Sequence, residues 1–328
     1  MAVLVTGGAG YIGSHMVLRL TDAGEEVVVL DNLSTGFEWA IDSRATFVEG
    51  NAGDIPFVTE VLKKHNIAEI IHFAGSIVVP ESVVNPLKYY ANNTATSRDL
   101  LEAAIAAGVK HFVFSSTAAV YGMVGLEPVR EDAELSPLSP YGRSKLMTEM
   151  MLADVAAAHP ITYGALRYFN VAGADPQSRS GQSTPEATHL IKVAAQTALG
   201  QRDHINVFGT DYDTPDGTCL RDYIHVTDLV EAHALLLIHL RAGNDNTTLN
   251  CGYGRGYSVR EVINMVKQVS GVEFDVRETE RRAGDPAAIV AGAEKVRELL
   301  KWQPAHDDLA EIVQSAYAWE QYLMRRNR

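Results

Sequence analysis

A glycine-rich stretch near the amino terminus constrains the fold more than any other part of this 328-residue chain. Apolar residues of high β propensity, beginning at Val3, lead into glycines spaced G-x-x-G-x-x-G, and a helical pattern over residues 15–23 follows. Strand, tight turn and helix in this order point free backbone N–H groups at a pyrophosphate, although such turns are also often purely structural. We assign Gly7 to the turn, Gly10 to close approach of the phosphates and Gly13 to helix–strand packing.

The next predicted strand, over residues 26–30, ends in Asp31 and Asn32. Asp31 stands at the distance after Gly13 at which an acid can accept hydrogen bonds from an adenosine ribose. The two features together predict a bound nicotinamide dinucleotide. The carboxylate favours NAD over NADP because it would repel a 2′-phosphate.

Strand and helix patterns alternate through the first half of the chain. Strands are predicted over residues 45–49, 68–72, 111–115 and 161–168, and helices over 55–65, about 83–107 and 139–158. This alternation, with right-handed crossovers, predicts an α/β fold with a Rossmann-like, doubly wound parallel sheet.

Residues 171–185, rich in Gly, Pro, Ser and Asp, lead into a second region. We therefore predict a nucleotide-binding domain over residues 1–171 and a smaller α/β substrate domain over 172–328. An apolar helix near 226–240 is expected to pack back on the first domain. In the second region we also predict helices near 187–199, 259–269 and 307–322, and short strands near 206 and 248.

Composition excludes several classes of function. The net charge of −13 argues against nucleic acid or an anionic membrane as partner, since both need a basic surface. The sequence has no signal-peptide pattern and no apolar run of membrane-spanning length. Cys219 and Cys251 suggest neither a metal site nor a disulfide framework. We expect a cytoplasmic protein without a metal.

Two residues at helical spacing, Tyr141 and Lys145, carry candidate catalytic chemistry. Residues four apart lie on one helix face, and an ammonium beside a phenol lowers the pKa of the phenol, as would a positive nicotinamide ring. Tyr141 is therefore a candidate proton acceptor. A surface Tyr and Lys at this spacing are common, but here Thr117 follows a predicted strand and could hold the reacting hydroxyl.

Several stretches resemble the extended short-chain dehydrogenase/reductases: the glycine turn and residues 31–32, 73–75, 115–122, 141–145 and 167–170. Within these proteins, residues 208–226 and 281–285 are similar to the UDP-glucose 4-epimerase family, and the similarity covers essentially the whole chain. The resemblance implies interconversion of UDP-galactose and UDP-glucose through a 4-keto sugar, with tightly bound NAD.

The resemblance also implies roles for individual residues. Those that would contact NAD are Gly7, Gly10, Tyr11, Ile12, Gly13, Asp31, Asn32, Asn51, Ala52, Phe73, Ala74, Gly75, Asn92, Tyr141, Lys145 and Phe169. Those that would contact the UDP-sugar are Thr117, Asn170, His189, Phe208, Arg221, Arg282, Asp285 and Ile289. The arginines would pair with its diphosphate, and Ile289 would lie beside the sugar C2 substituent. A homodimer built from the helices near 83–107 and 139–158 is implied as well.

The chain departs from the family pattern in three places. Asn51 and Ala52 stand where the best-known members have Asp-Ile, so the adenine contact lacks a carboxylate. Ile77 stands where many members have lysine, which removes a positive charge near the cofactor. Thr117 replaces a serine and keeps the hydroxyl.

The sequence disfavours two other functions and leaves a third as an alternative. A nucleotide-sugar 4,6-dehydratase would need an acid pair where this chain has Ala118 and Ala119. A non-catalytic NAD-sensing regulator has no need of Tyr141, Lys145 and Thr117 together. A 4-epimerase of UDP-pentoses or UDP-N-acetylhexosamines remains an alternative.

Overall fold

A seven-stranded parallel sheet forms the centre of the computed structural model, which describes residues 2–184, 187–282 and 284–326. The strands in chain order are β1 (Ala2–Thr6), β2 (Val27–Asp31), β3 (Thr46–Glu49), β4 (Ile67–His72), β5 (His111–Thr117), β6 (Thr162–Tyr168), β7 (Asn170–Ala172), β8 (His204–Phe208), β9 (Leu220–Arg221), β10 (Tyr223–His225), β11 (Thr247–Cys251), β12 (Tyr257–Ser258), β13 (Asp275–Thr279) and β14 (Ala288–Ile289). Across the central sheet the order is β11-β6-β5-β4-β1-β2-β3. This confirms the predicted Rossmann-like, doubly wound fold.

Helices cover both faces of this sheet. In chain order they are α1 (Tyr11–Asp22), α2 (Ile55–Lys64), α3 (Val79–Val84), α4 (Pro86–Tyr89), α5 (Thr96–Ala107), α6 (Pro140–Ala158), α7 (Leu190–Ala198), α8 (Val226–Arg241), α9 (Val259–Ser270), α10 (Glu294–Leu300) and α11 (Leu309–Arg326). Side chains alternate along a strand, so Val3 and Val5 of β1 pack in one apolar core and Leu4 packs in the other. Strands buried on both faces explain the continuous apolar runs in the sequence.

The strand order reverses at β1, whose neighbours are β2 and β4. In doubly wound sheets a ligand binds outside the carboxyl ends of the strands at such a switch point. Gly7, directly after β1, has φ +72°, and a Cβ there would lie 2.6 Å from the Ala74 nitrogen in the loop after β4. The two loops therefore meet where a nucleotide is expected.

The prediction of one continuous helix over residues 83–107 is wrong. The structure has α3, then Asn85 with φ −134° and ψ 65°, then α4, a π-helical segment (Tyr90–Ala95) and α5. The break precedes Pro86, whose ring disfavours helical backbone at the residue before it.

The second half of the chain contributes to the central sheet. We predicted the strand near residue 248 as part of the second region, but β11 pairs in parallel with β6 at the sheet edge. Helix α8 packs against α1, β5 and β6, as expected of the helix near 226–240. Beside the central sheet lie two parallel pairs, β7 with β10 and β8 with β13, and a three-stranded sheet in the order β12-β9-β14. Division of the chain at residue 171 stays a prediction.

In the described ranges, the structure contains no helix that combines the length and the hydropathy required to cross a membrane.

Candidate active site

The glycine turn presents a set of backbone donors. Helix α1 begins at Tyr11, and Gly10, its N-cap, provides no side-chain hydrogen bond to the first turn. The first N–H groups of a helix have no partner within the helix, so they can donate to an anion. At Gly13 a Cβ would clash with the Gly7 carbonyl oxygen and lie 2.8 Å from the Gly8 Cα. The close contact between helix and turn therefore requires glycine at position 13.

Asp31 lies beside the same turn, at the end of β2. One carboxylate oxygen accepts the Ala9 N–H at 3.0 Å and the other accepts the Leu33 N–H at 2.8 Å. A carboxylate oxygen has lone pairs for more than one donor, so ribose hydroxyls can still bind. The donors of the turn and this buried acceptor fit the pyrophosphate and the ribose of NAD.

Asn93, a residue that the sequence analysis missed, connects the loop after β4 to helix α6. Asn93 is buried, accepts the Ser76 N–H at 2.7 Å and donates to the Ser76 carbonyl at 3.0 Å and to Ser144 Oγ at 3.0 Å. The predicted cofactor residue Asn92 donates to Ser76 Oγ at 2.9 Å. Gly75 lies against Asn93, so the Phe73–Gly75 loop is held between β4 and α6.

Two predicted adenine-side residues lie in the loop after β3. Asn51 accepts the Gly53 N–H at 2.9 Å within its own loop, while Ala52 is buried in the core. Near them, Asn32 accepts the Ser34 N–H at 3.1 Å. These contacts shape loops beside Asp31.

The catalytic residues come from β5 and α6. Ser139 caps α6 by accepting the Gly142 N–H at 3.1 Å, and the first turns carry Tyr141 and Lys145. Both side chains are buried, with 7% and 3% of their surface exposed. Thr117 ends β5, and its hydroxyl lies near enough to the Tyr141 phenol to lower the pKa of that phenol. The structure thus brings all three predicted catalytic residues together.

The ionisation of these groups differs from the expectation. Burial raises the pKa of Tyr141, and the nearby Thr117 hydroxyl lowers it only in part. Lys145 donates to the Ser115 carbonyl at 2.9 Å, and burial lowers its pKa to about 8. The predicted lowering of the Tyr141 pKa by Lys145 is therefore wrong for the chain alone. A positive group bound within about 4–6 Å of the phenol would favour phenolate.

The end of β6 joins the catalytic residues to the second region. The Tyr168 hydroxyl lies 2.5 Å from Ser115 Oγ, and the next residue, Phe169, is buried. Asn170 then begins β7. Tyr11, Asn170 and His189 line a single cavity between the glycine turn and α7. Predicted cofactor and substrate residues therefore meet there.

Three predicted substrate residues form a second cluster. Arg221 and Ile289 are register partners in β9 and β14. The Arg221 guanidinium donates to the carbonyls of Leu220 at 2.8 Å and Pro286 at 3.0 Å, and lies 3.9 Å from the Asp285 carboxylate. These contacts hold the guanidinium in one orientation, as recognition of a diphosphate requires.

The other two substrate candidates, Phe208 and Arg282, pack on each other. The guanidinium carbon of Arg282 is 3.7 Å from the centre of the Phe208 ring. The adjacent Arg281 instead lies over Tyr212, at 4.1 Å, and pairs with Asp211. The two arginines of the motif thus have different neighbours, and Arg282 is the one beside the predicted ligand residue.

Asp222, which the sequence analysis also missed, holds together the backbone around the cluster of Arg221, Asp285 and Ile289. Its buried carboxylate accepts backbone N–H groups of Tyr253 at 3.0 Å, Gly254 at 2.8 Å and Ala291 at 3.2 Å. Burial raises the pKa of Asp222 to about 6 despite these bonds. Its own carbonyl accepts the Asn170 N–H at 2.9 Å, so it joins the two substrate clusters. In the sequence, its position directly after the predicted substrate residue Arg221 could have identified it.

In the part of the chain that the structure describes, no group of three or more His, Cys, Asp and Glu side chains is arranged to hold a metal ion.

Comparison with known proteins agrees with this geometry. The model of the NAD dependent epimerase/dehydratase family matches residues 3–252. A UDP-glucose 4-epimerase of Azospirillum brasilense is 57% identical over 321 residues, which cover 98% of this chain and 92% of that protein. The structure of a UDP-glucose 4-epimerase from Brucella ovis in complex with NAD has a TM-score of 0.94 at 43% identity and covers 97% of both chains. The UDP-Glc/GlcNAc 4-epimerase of Campylobacter jejuni has a TM-score of 0.86 at 47% identity, covering 98% of this chain and 99% of that one.

Proposed function

Because this chain belongs to the NAD dependent epimerase/dehydratase family, we propose that it interconverts UDP-galactose and UDP-glucose by epimerisation at C4. The observation that carries the proposal is the meeting of Tyr141, Lys145 and Thr117 at the carboxyl edge of the sheet. This placement lets one side chain remove a hydroxyl proton beside the position of the nicotinamide. Supply of UDP-galactose in carbohydrate metabolism would follow from the activity.

The cofactor is NAD, and the residues present fit it. The α1 N–H groups would bind its pyrophosphate, Asp31 its adenosine ribose, and the loop containing Gly75 would lie beside its other end. When bound, NAD would supply a reversible acceptor for the hydride at C4 of the sugar. The carboxylate of Asp31 would repel the 2′-phosphate of NADP.

Tyr141 performs the proton transfer in this proposal. As the phenolate, which a positive group bound beside it would favour, its oxygen would take the proton of the sugar 4-hydroxyl as C4 is oxidised, and the resulting phenol would give that proton back to O4 on reduction. Thr117, whose hydroxyl lies near the phenol, would hold the same sugar hydroxyl in line. Lys145, anchored on the Ser115 carbonyl, supplies positive charge behind the site.

Arg221 and Arg282 would hold the diphosphate, with Asp285 and Phe208 beside the nucleoside and Asn170 nearer the hexose. A firm hold on UDP with weaker contacts to the sugar would let the 4-keto hexose turn over. We thus assign NAD binding to residues 1–171 and UDP-sugar binding to 172–328, with 226–251 returning to the central sheet.

The test is conversion of UDP-galactose to UDP-glucose by the purified protein without added cofactor. We expect turnover, release of NAD and not NADP on denaturation, and a small absorbance of NADH after addition of UDP-galactose. Lack of turnover when NAD is also supplied would refute the proposal. An NADP-containing protein would refute the role given to Asp31.

The main alternative concerns the sugar, since the similar enzyme of Campylobacter jejuni acts on UDP-Glc and UDP-GlcNAc. We propose that Ile289, the register partner of Arg221, lies beside the C2 substituent. Isoleucine is shorter than tyrosine, but its β-branch is stiff. A mismatch of a few atoms in an apolar pocket changes discrimination by roughly ten- to two-hundredfold. We therefore expect UDP-galactose to be preferred, with weak turnover of UDP-N-acetylgalactosamine.

Variants of Ile289 test this pocket with both substrates. Ile289→Ala should selectively increase turnover of UDP-N-acetylgalactosamine, and Ile289→Tyr should abolish it while leaving UDP-galactose turnover largely intact. Equal effects on the two sugars would show that residue 289 does not control access.

We further propose a cytoplasmic homodimer that pairs through α3–α5 and α6. Exposed apolar side chains on these helices support it, among them Val84, Leu87 and Met150 with 82%, 76% and 61% of their surface exposed. Such a cluster is uncommon on a monomer surface. A monomeric mass in sedimentation equilibrium at micromolar concentration would contradict this assembly.

A further inference from the structure

Helix α6 carries a buried acidic side chain on the face that holds Tyr141 and Lys145. This residue, Glu149, lies one turn beyond Lys145 and has 6% of its surface exposed. Its carboxylate accepts hydrogen bonds from Ser116 Oγ and from Arg167, at 3.0 Å from Nε and 2.6 Å from Nη2. The Arg167 side chain is equally buried. Such a pair needs a reason, because desolvation of two charges usually cancels their attraction.

The position of the pair relates it to the reaction. Ser116 lies between Ser115, whose carbonyl accepts a hydrogen bond from Lys145, and Thr117, whose hydroxyl lies near the Tyr141 phenol. In the sheet, Ser116 and Arg167 are register partners on β5 and β6. Glu149 therefore connects α6 to both strands directly behind the catalytic groups.

Arg167 is also held from its other side. Its Nη1 donates to the Tyr121 hydroxyl at 3.0 Å, and that hydroxyl donates to Asn250 Oδ1 at 2.6 Å. The guanidinium carbon lies 5.1 Å from the centre of the Tyr121 ring. Tyr121 therefore still holds the Arg167 guanidinium when Glu149 is replaced. The charges of Glu149 and Arg167 can thus be removed one at a time.

We propose that Glu149 is a positioning residue that keeps Lys145 cationic and fixes the strand end bearing Thr117, while Arg167 limits the negative field that Lys145 feels. This inference rests on the proposed function only in giving Lys145 a role in the reaction. The interaction of Glu149 and Arg167 with Lys145 is present in the folded chain whether or not substrate is bound.

The groups facing Lys145 leave Glu149 as its source of negative charge. Glu149 and Tyr141 lie on its own helix, His72 lies on β4, and Arg167 and Tyr168 lie on β6. The pKa of His72 is lowered to about 3 by burial and by Lys145, so the imidazole is neutral. Burial raises the pKa values of Tyr141 and Tyr168, so both phenols are neutral. Glu149 raises the pKa of Lys145 against the effect of burial.

The test is an NMR titration of the full-length protein with 13C-labelled lysine side chains, in which the Lys145 signal is identified by its absence from a Lys145→Met variant. Buried Lys145 should titrate near pH 8, well below the roughly pH 10.4 of exposed lysines. Glu149→Gln keeps an acceptor for Arg167 and Ser116 but removes the charge. Its Lys145 midpoint should fall by about 1 pH unit or more, the usual effect of losing a near opposite charge.

Arg167→Gln should move the Lys145 midpoint in the opposite direction, and Arg167→Lys should restore it. Ser116→Ala, which removes a hydrogen bond without changing charge, is the matched control and should leave the midpoint in place. In the epimerase assay the alkaline limb of the kcat profile should follow the same order. A merely structural pair would lower stability without these opposite shifts.

An unchanged Lys145 midpoint in Glu149→Gln, or shifts of the same sign in the Glu149 and Arg167 variants, would overturn the inference. If Glu149→Gln does not fold, the Arg167 variants alone decide the question. Because the titration needs no substrate, failure of the proposed function would leave this result interpretable.

Discussion

Tyr141→Phe should retain NAD and the fold but lose epimerase activity by at least about a hundredfold, the low end for loss of a general base. The aromatic ring is buried beside α4, with the Tyr89 and Tyr141 ring centroids 6.4 Å apart, and phenylalanine fills the same space. What disappears is the phenol oxygen, which lies near the Thr117 hydroxyl and, as phenolate, would take the 4-hydroxyl proton. The measurement is kcat for UDP-galactose together with the NAD content of the purified variant.

Tyr317→Phe is the matched control, since Tyr317 lies on α11 and packs against the apolar core. It should turn over at nearly the wild-type rate. Near-normal turnover in Tyr141→Phe would refute the assignment of the proton acceptor. Loss of NAD in that variant would show instead that the phenol serves cofactor retention.

Gly13→Ala should reduce retention of NAD by roughly ten- to a hundredfold. The added methyl group would clash with the Gly7 carbonyl oxygen, a backbone atom of the turn, so α1 has to move away. Overpacking of this kind costs about 1–3 kcal/mol, and each 1.4 kcal/mol is about a factor of ten in affinity. The NAD released per chain on denaturation, with dialysis against cofactor-free buffer, measures the change.

Gly125→Ala provides the control, because a Cβ at Gly125 meets no atom within 4 Å. We expect its NAD content to equal that of the wild type. Full retention of NAD by Gly13→Ala would mean that the turn does not hold the pyrophosphate as described. The free energy of unfolding, measured in denaturant, separates local loss of binding from general instability.

Local sequence was sufficient to predict many of the residues beside the expected nucleotide. The helical spacing of Tyr141 and Lys145 placed both on one buried face, and Ser139 caps the helix where the pattern begins. Asp31 lies at the end of β2, beside the glycine turn. Each of these features depends on backbone geometry within a few residues or on one strand–turn–helix unit, so a single sequence contains it.

The pairing of strands and side chains that are distant in the sequence could not be predicted in this way. The strand near residue 248 has no local mark that assigns it to the central sheet, and its place beside β6 depends on the return of α8. Likewise, nothing in the Asn92-Asn93 pair shows which amide is buried; contact with Ser76 and Ser144 decides it.

The sequence by itself determined the parallel α/β fold, the glycine turn and the candidate catalytic residues, because strand and helix periodicity and close glycine packing are local properties. Only the tertiary structure decided the ionisation of the site. Tyr141 is neutral in the chain alone and the pKa of Lys145 lies near 8, because burial removes water from both and the partner of each is set by β5 and α6 together. Desolvation is a sum over everything packed around a group, and no short stretch of sequence contains that sum.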